Sequence, residues 1–546
     1  MRLSGIASGM DTEQMVKDLM KAERIRVDKY YRQEESLKWK QEAFNTTNKT
    51  LAEFILKARS GFGLTSTSGT GTIINKSKDS FDWVKKVSSS DESVIKATGS
   101  ASAMEGTYNV EVKQLAEVAS VTSNKLTGIK DGGGNDISVV DAEGKFTKAG
   151  KFNITVGSNI SVEITVEVGS TMANVVKQIN DAKDGEASLG LRAAYDSKLG
   201  KLMITTKEQG ANQVIKIENV GTDTLVDSIF GSSTVELTGK DAIIYLNQDE
   251  NQPLDDKNKI TQSNNNFTMF GVNYQLQSVG KTTLNVESNV DGIMDKVKEF
   301  VTEYNTLIDS LNSLIKEKNY RDYTPLTSEE KEAMTEKEIE LWEAKAKSGL
   351  LRGDESINRM LQSMRSGLYE NVTGVSGFSH ITQIGITTGN YQSGGKLEIN
   401  EDKLRAAIND NPDGVIDLLF NKADKKVQDG EDEKSTATRV RAESGLVERI
   451  FDDMISGMKD IVRKSGTGKE ADLFRSVQSN MLIDFVTKQS SISVLDKDLT
   501  SIGSRITREE QLLTSRETRY WNQFTAMEKA LQKMNSQSSW LSSQLG

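Results

Sequence analysis

The stretch ISVLDKDLTSIGSRITREEQLLTSRETRYWNQFTAMEKALQKMNSQSSWLSSQL, Ile492 to Leu545, decides how the rest of the chain is read. Alternating steps of three and four residues select Ile492, Leu495, Leu499, Ile502, Ile506, Glu509, Leu513, Arg516, Tyr520, Gln523, Met527, Ala530, Met534, Gln537 and Leu541. Eleven of these fifteen positions are apolar or aromatic, the run holds no proline, and Gly503 is its only glycine. Such spacing gathers the apolar side chains into one narrow stripe of a long helix, a coiled-coil seam and not the broader face of a globular helix. A helix of this kind is marginal in water unless its stripe is covered, so the chain must supply a partner.

The comparable segment lies at the other end, from Asp11 to about Ile55. Asp11 and Gln14 have the spacing of a capping box. Heptad positions then hold Val16, Met20, Glu23, Val27, Tyr30, Glu34, Leu37, Gln41, Phe44, Asn48, Leu51 and Ile55, of which eight of twelve are apolar. The two ends are expected to pair as a helical stalk, residues 1–48 with 490–546, and everything between them emerges as an insertion. Glu23, Glu34, Gln41 and Asn48 interrupt the N-terminal seam and make it the weaker of the two.

Composition narrows the functional classes. The 546 residues carry 69 Lys and Arg against 79 Asp and Glu, a formal charge of −10. Nucleic-acid binding needs clustered positive charge, which this balance opposes. No apolar run approaches the roughly 18 residues of a membrane span. Met1 to Met10 lacks the sustained apolar core of a cleavable signal peptide. With no cysteine, disulfides, thiolate metal sites and cysteine nucleophiles are excluded. Three prolines against 43 glycines suit long helices joined by glycine-punctuated strands.

Helix, strand, helix is the coarse order, an α+β chain. Ser60 to Thr72 reads as a loop; strands are expected at Ser93–Ala97, Gly106–Leu115, Phe152–Val156, Val162–Val168, Leu202–Ile204, Val214–Ile217, Ala242–Leu246, Phe267–Leu276 and Thr283–Val286, with a helix at Thr171–Ala182. The region 96–286 is thus a β-rich insertion of two subdomains, one about 145–220. Residues 49–95 with 287–489 make a mainly helical domain. Its helix from about Gly292 to Lys318, N-capped by Asp291, has Ile293, Val297, Phe300, Tyr304, Leu307, Leu311 and Leu314 on its seam. Thr327 with Glu330 and Thr335 with Glu338 form capping boxes, and Asp354 caps a helix bearing Ile357, Leu361, Met364 and Leu368. Ile384–Thr388 and Lys396–Ile399 suggest a β-hairpin, two helices flank Asn411-Pro412, Asp424–Ser435 reads as a mobile loop, and Val447, Phe451, Met454, Met458 and Ile461 line another helix. Ser465–Gly468 reads as a turn and Leu473–Val486 as helical.

The chain offers no catalytic kit. Its one histidine, His380, rules out a multi-histidine metal site, and there is no P-loop and no nucleophile elbow. Asp249-Glu250, Asp255-Asp256 and the acidic run within Gln428–Glu433 lack the ligand pattern of a calcium loop and read as solvated loops. No catalytic residue, cofactor or metal is therefore expected, and the chain is not read as an enzyme. Five tryptophans stand out, of which Trp39, Trp521 and Trp540 are candidate anchors between subunits. Long partnered ends and a β insertion describe a part that plugs into an assembly by its termini.

The opening Leu3-Ser4-Gly5-Ile6-Ala7-Ser8-Gly9-Met10-Asp11-Thr12, continued by Val16 to Glu23, resembles the N-terminal signature of the flagellar filament cap family, FliD or hook-associated protein 2. The resemblance extends through Gly106-Thr107-Tyr108-Asn109-Val110, the helix Val297 to Leu311, Tyr323-Thr324-Pro325-Leu326-Thr327, Gly349-Leu350-Leu351-Arg352-Gly353-Asp354, Ile384 to Thr388 with Gly395-Lys396-Leu397, and Gln523 to Glu528. Phe152 to Ile217 resembles a β-rich repeat of flagellins and hook-associated proteins.

This resemblance implies a ring, usually a pentamer, at the distal tip of the growing extracellular filament, where it promotes folding and insertion of exported flagellin. It implies passage through the flagellar export apparatus with an export chaperone and no cleavable signal, a leg formed by the terminal helices and a head formed by the β domains. The expected leg-seam residues are Val16, Met20, Val27, Leu37, Phe44, Leu499, Ile502, Ile506, Leu513, Tyr520, Met527 and Met534. A weaker N-terminal seam would let the leg dock and release with each subunit added. The rival readings are a hook–filament junction protein, flagellin itself, or a surface adhesin whose β head binds a host surface.

Overall fold

The computed structural model describes residues 11–69, 73–157, 160–247, 255–389, 393–466 and 493–545. The expected elements at Met1–Met10, Asp249-Glu250, Leu473–Val486 and Ile492 lie outside the described residues, as do Thr467 and Gly468 of the Ser465–Gly468 turn. The chain divides into two compact units, Met1–Lys78 with Ile293–Gly546, and Asp79–Gly292.

Helix α1 (Thr12–Phe62) opens the first unit. The Asp11 carboxylate accepts from the Gln14 amide at 2.9 Å, but the Gln14 side chain donates forward to Asp18 at 2.9 Å, so only half of the expected capping box forms. Gly63 ends the helix at φ +80, a left-handed position that costs glycine little. The expected loop after it holds a short antiparallel hairpin, Thr65–Thr67 with Ile73–Asn75.

The unit Asp79–Gly292 is built of antiparallel sheets around two hydrophobic cores. One core gathers Val94, Ile95, Val110, Val112, Ile244, Tyr274, Leu284 and Val286. It lies beneath a five-stranded sheet ordered Lys259–Gln262, Ala242–Leu246, Gly106–Gln114, Gly280–Ser288, Lys85–Ser89, and a three-stranded sheet of Asn266–Met269, Val272–Leu276 and Ile95–Gly99. In this unit strand structure begins at Lys85, earlier than alternation showed. The expected single strand Phe267–Leu276 is a hairpin: Phe270 and Gly271, at φ +51 and +76, turn the chain between Met269 and its partner Val272. An Asn-Gly pair would have announced that turn; a phenylalanine does not. The second core joins Phe152, Ile154, Ile164, Val166, Ile204 and Ile217 to helices α2 (Met172–Asn180) and α3 (Leu225–Phe230). Alternation works here because each strand has one buried face, Phe152 and Ile154 pointing inward as Ile164 and Val162 stand opposite them.

Helix α4 (Val290–Lys316) follows. Its first turn is capped by Asn289, whose side-chain oxygen accepts from the Gly292 amide at 3.0 Å, and Asp291 lies inside the helix instead of capping it. Helices α5 (Ser328–Glu332) and α6 (Glu336–Lys347) open with the Thr327/Glu330 and Thr335/Glu338 capping boxes, and Asp354 caps α7 (Glu355–Tyr369). His380 caps the 3-10 turn Ile381–Ile384, its Nδ1 accepting from the Thr382 amide at 3.2 Å. The hairpin Ile386–Thr388 with Leu397–Ile399 precedes α8 (Glu401–Asp410) and α9 (Pro412–Phe420), separated by Asn411. The loop from Asp424 gives way to an unforeseen helix, α10 (Glu433–Glu443), which has one buried residue, Thr436, and so almost no apolar period to read. The unit ends with α11 (Leu446–Ser465) and α12 (Val494–Leu545).

Two contacts hold the helical body. Phe62 lies 5.5 Å from Phe300 and 4.6 Å from Phe420, tying the end of α1 to α4 and α9. Arg449 of α11 is 1% exposed, and its guanidinium donates to the carbonyls of Gly367, Glu370, Asn371, Arg441 and Ala442 at 2.7–3.1 Å. These carbonyls lie at or just past the C-terminal ends of α7 and α10, where a planar fork of donors can reach them together.

Candidate assembly site in the terminal helix pair

Helices α1 and α12 pack against each other in antiparallel order. Gln41 Nε2 donates to Asp496 Oδ1 at 2.8 Å, the Tyr31 hydroxyl donates to Glu510, and Glu23 pairs with Arg516 while accepting from the Tyr520 hydroxyl at 3.2 Å. As the number on one helix falls, that on the other rises. The Tyr31 hydroxyl is pushed up to about 12, first by its bond to Glu510 and then by desolvation. Asp496 is held below the usual carboxylate range by bonds from Ser493 and Gln41, which outweigh its partial burial.

On α1 the structure buries Val16, Val27 and Phe44 and half-buries Met20 and Leu37. On α12 it buries Leu495 and Ile506 and half-buries Leu499, Ile502, Leu513, Tyr520 and Met527. Past Tyr520 the covered positions are Trp521, Phe524, Thr525, Met527, Glu528 and Leu531, whereas Gln523 and Ala530 are exposed. A helix of 3.6 residues per turn drifts against a strict 3.5-residue repeat, and without sustained supercoiling the stripe moves one position on. Met534, counted among the seam residues, is 63% exposed. Described α1 starts at Thr12, and the register of Gln41–Asp496, Tyr31–Glu510 and Glu23–Arg516 puts Met534 past that described start.

The polar seam positions are not gaps. Glu23 and Gln41 are bonded across the pair, and Asn48 Nδ2 donates to the Met458 carbonyl of α11 at 3.3 Å. Glu34 instead pairs along its own helix with Lys38 at 2.8 Å. Sequence reasoning took Glu23 and Arg516 for breaks in two separate seams; their opposite charge at seam positions was the signal that they meet.

Trp39 is buried, with Lys347 Nζ 4.8 Å from its ring centroid. Trp521 is half-buried and its Nε1–H donates to Glu517 one turn back at 3.3 Å. Trp540 is 63% exposed, beyond the end of described α1. Among the described residues there is no gathering of three or more His, Cys, Asp or Glu side chains fit for a metal ion. No described helix is long and apolar enough to cross a membrane.

Family models match three stretches of the chain. Residues 8–119 match the family description "Flagellar hook-associated protein 2 N-terminus", residues 239–536 match its C-terminus, and residues 151–208 match the "Flagellin hook IN motif". The flagellar hook-associated protein 2 of Halalkalibacterium halodurans is 32% identical, the alignment covering 98% of each chain. That of Escherichia coli K12 is 23% identical over 99% of this chain and 97% of its own. Among solved structures, the D1-D2-D3 domains of the flagellar cap protein FliD from Escherichia coli superpose with a TM-score of 0.48 at 20% identity, covering 77% of this chain and 95% of that one.

Proposed function

The chain belongs to the flagellar hook-associated protein 2 family, and on that premise we propose that it caps the flagellar filament at its distal tip, with the α1–α12 pair as the leg that engages the filament. Several copies assemble as a ring, a pentamer being the expected number, and promote folding and insertion of flagellin. The extracellular location follows from the cap role; the export apparatus and a chaperone are its route outward. The β-rich unit Asp79–Gly292 is the head.

One observation supports the leg assignment above the others. The pair is bonded at intervals by polar contacts, Glu23–Arg516, Tyr31–Glu510 and Gln41–Asp496, with partly covered apolar positions between them. Partly exposed ion pairs contribute little each but set orientation and register, so such a helix pair keeps one alignment while remaining able to loosen. The test is gold-label electron microscopy of intact flagella with an antibody against residues 106–287. Label at the distal tip is the expected result; label at the hook junction or along the filament overturns the cap reading.

A further inference from the structure

Between α4 and α7 the chain makes an excursion that closes on itself. The Gly349 amide donates to Glu317 Oε2 at 2.7 Å, the Ser348 hydroxyl donates to the Lys318 carbonyl at 2.7 Å, and the Gly353 amide donates to the Ile315 carbonyl at 2.9 Å. Residues 318–348 thus leave and return through one neck. They carry α5 and α6, neither of which has a buried residue, and Pro325 is the one buried residue of the excursion.

The excursion has its own internal order. Tyr323 lies 4.6 Å from Trp342, whose Nε1–H donates to the Thr324 carbonyl at 2.8 Å, and Lys345 donates to the Tyr323 hydroxyl at 3.0 Å. Its ties to α1 are of another kind. Lys21 pairs with Glu329 at 3.0 Å, Arg32 donates to Glu330 and to the Thr324 hydroxyl at 2.7 Å each, and Lys347 lies over Trp39. Between these ties a cleft of about 500 Å³ separates α1 from Thr324-Pro325, lined by Ile25, Asp28, Lys29 and Gln33.

Elements joined by buried apolar surface separate only when the fold is lost. Elements joined by exposed charges across a cleft are held weakly, salt screens them, and they open locally. We propose that residues 318–348 are a strap that lifts from α1 as a unit about the Glu317–Gly349 neck, its docking set by ionic strength, while α1 stays helical. Lifting takes Lys347 away from Trp39 and opens the Ile25–Ser36 face of α1. The inference concerns the isolated chain and does not depend on the cap function.

Hydrogen exchange of the full chain, read by mass spectrometry at about 50 mM and about 1 M NaCl, tests it. Peptides from Ser328–Lys347 are expected to exchange roughly tenfold faster at high salt, with Leu51–Phe62 of α1 unchanged. Arg32→Met should give the fast exchange already at low salt. Lys21→Glu should weaken docking and Lys21→Glu with Glu329→Lys should restore it. Strap exchange that is the same at both salt concentrations, slow or fast, overturns the proposal, as does acceleration of α1 together with the strap. The wild-type salt comparison decides even if a variant folds poorly.

Discussion

Glu23 and Arg516 stand 493 positions apart and are ion-paired across the antiparallel helices α1 and α12. Their side chains are 25% and 27% exposed, so water weakens the pair without dissolving it. A double-mutant cycle with Glu23→Ala and Arg516→Ala should give a coupling of about 0.5–1 kcal/mol, measured by urea denaturation. The coupling should shrink in high salt. A coupling of zero at low salt would mean that the pair does not set the register.

Arg449→Met is expected to be among the most destabilising single changes in the helical body. It removes all five bonds that one guanidinium donates to helix-end carbonyls, of which that of Ala442 also accepts from the Thr373 amide at 2.9 Å. The loss should be about 3 kcal/mol or more, read from the urea midpoint. Arg449→Lys should recover little, since an ammonium cannot reproduce the planar fork.

Two helical glycines should respond in opposite directions to alanine. A Cβ on Gly457 would overlap the Met360 side chain, where α11 lies close against α7. Gly457→Ala should cost about 1–3 kcal/mol. Gly503 has nothing within 4 Å of its would-be Cβ, and Gly503→Ala should stabilise α12 by up to about 1 kcal/mol. Thermal unfolding of the two variants checks both signs.

The pH dependence has two arms. Glu431 is held down to about 2, first by the bond from Arg439 Nε at 2.7 Å and next by the Gln428 amide. Its contribution is present above the ordinary value of 4.5 and is lost as pH falls toward 2. Glu448 and Asp452 are instead raised by burial on α11. They bind protons more tightly folded than unfolded, so stability falls as pH rises above their ordinary values of 4.5 and 3.8 through their raised ones. Glu431→Gln should flatten the acid arm and Asp452→Asn the other, in urea midpoints taken across the acidic range.

Met534 and Trp540 are each 63% exposed on the part of α12 that lies past the described start of α1. Truncating either to alanine should leave monomer stability within about 0.5 kcal/mol. If that surface engages the filament, the same variants should reduce swimming and filament length. Leu513→Ala, half-covered inside the pair, should instead lower the stability of the helices themselves. Unimpaired motility of the Trp540 variant would exclude that residue as an anchor.

Repeat and alternation made much of the architecture legible. The heptad stripes of the two ends, the capping boxes at Thr327 and Thr335 and the alternating strands around Phe152 each arise from neighbours a few residues apart. Where local signals were absent, reading the sequence failed: α10 has hardly any apolar face, and the Phe270-Gly271 turn lacks the usual turn residues. His380 offered no clue that it would cap a 3-10 turn, because that role depends on the backbone next to it.

The sequence by itself determined that both ends are long amphipathic helices, that strands lie between them and that neither cysteine chemistry nor a multi-histidine metal site is available. Periodicity and residue inventory are local properties, complete before the chain folds. Only the tertiary structure decided that Glu23 faces Arg516, that Arg449 gathers the ends of two helices, that Trp39 is covered from within and that Met534 is exposed while Ile506 is buried. Those outcomes depend on where one helix stops beside another, a length and register set by packing between distant segments and by no repeat within either.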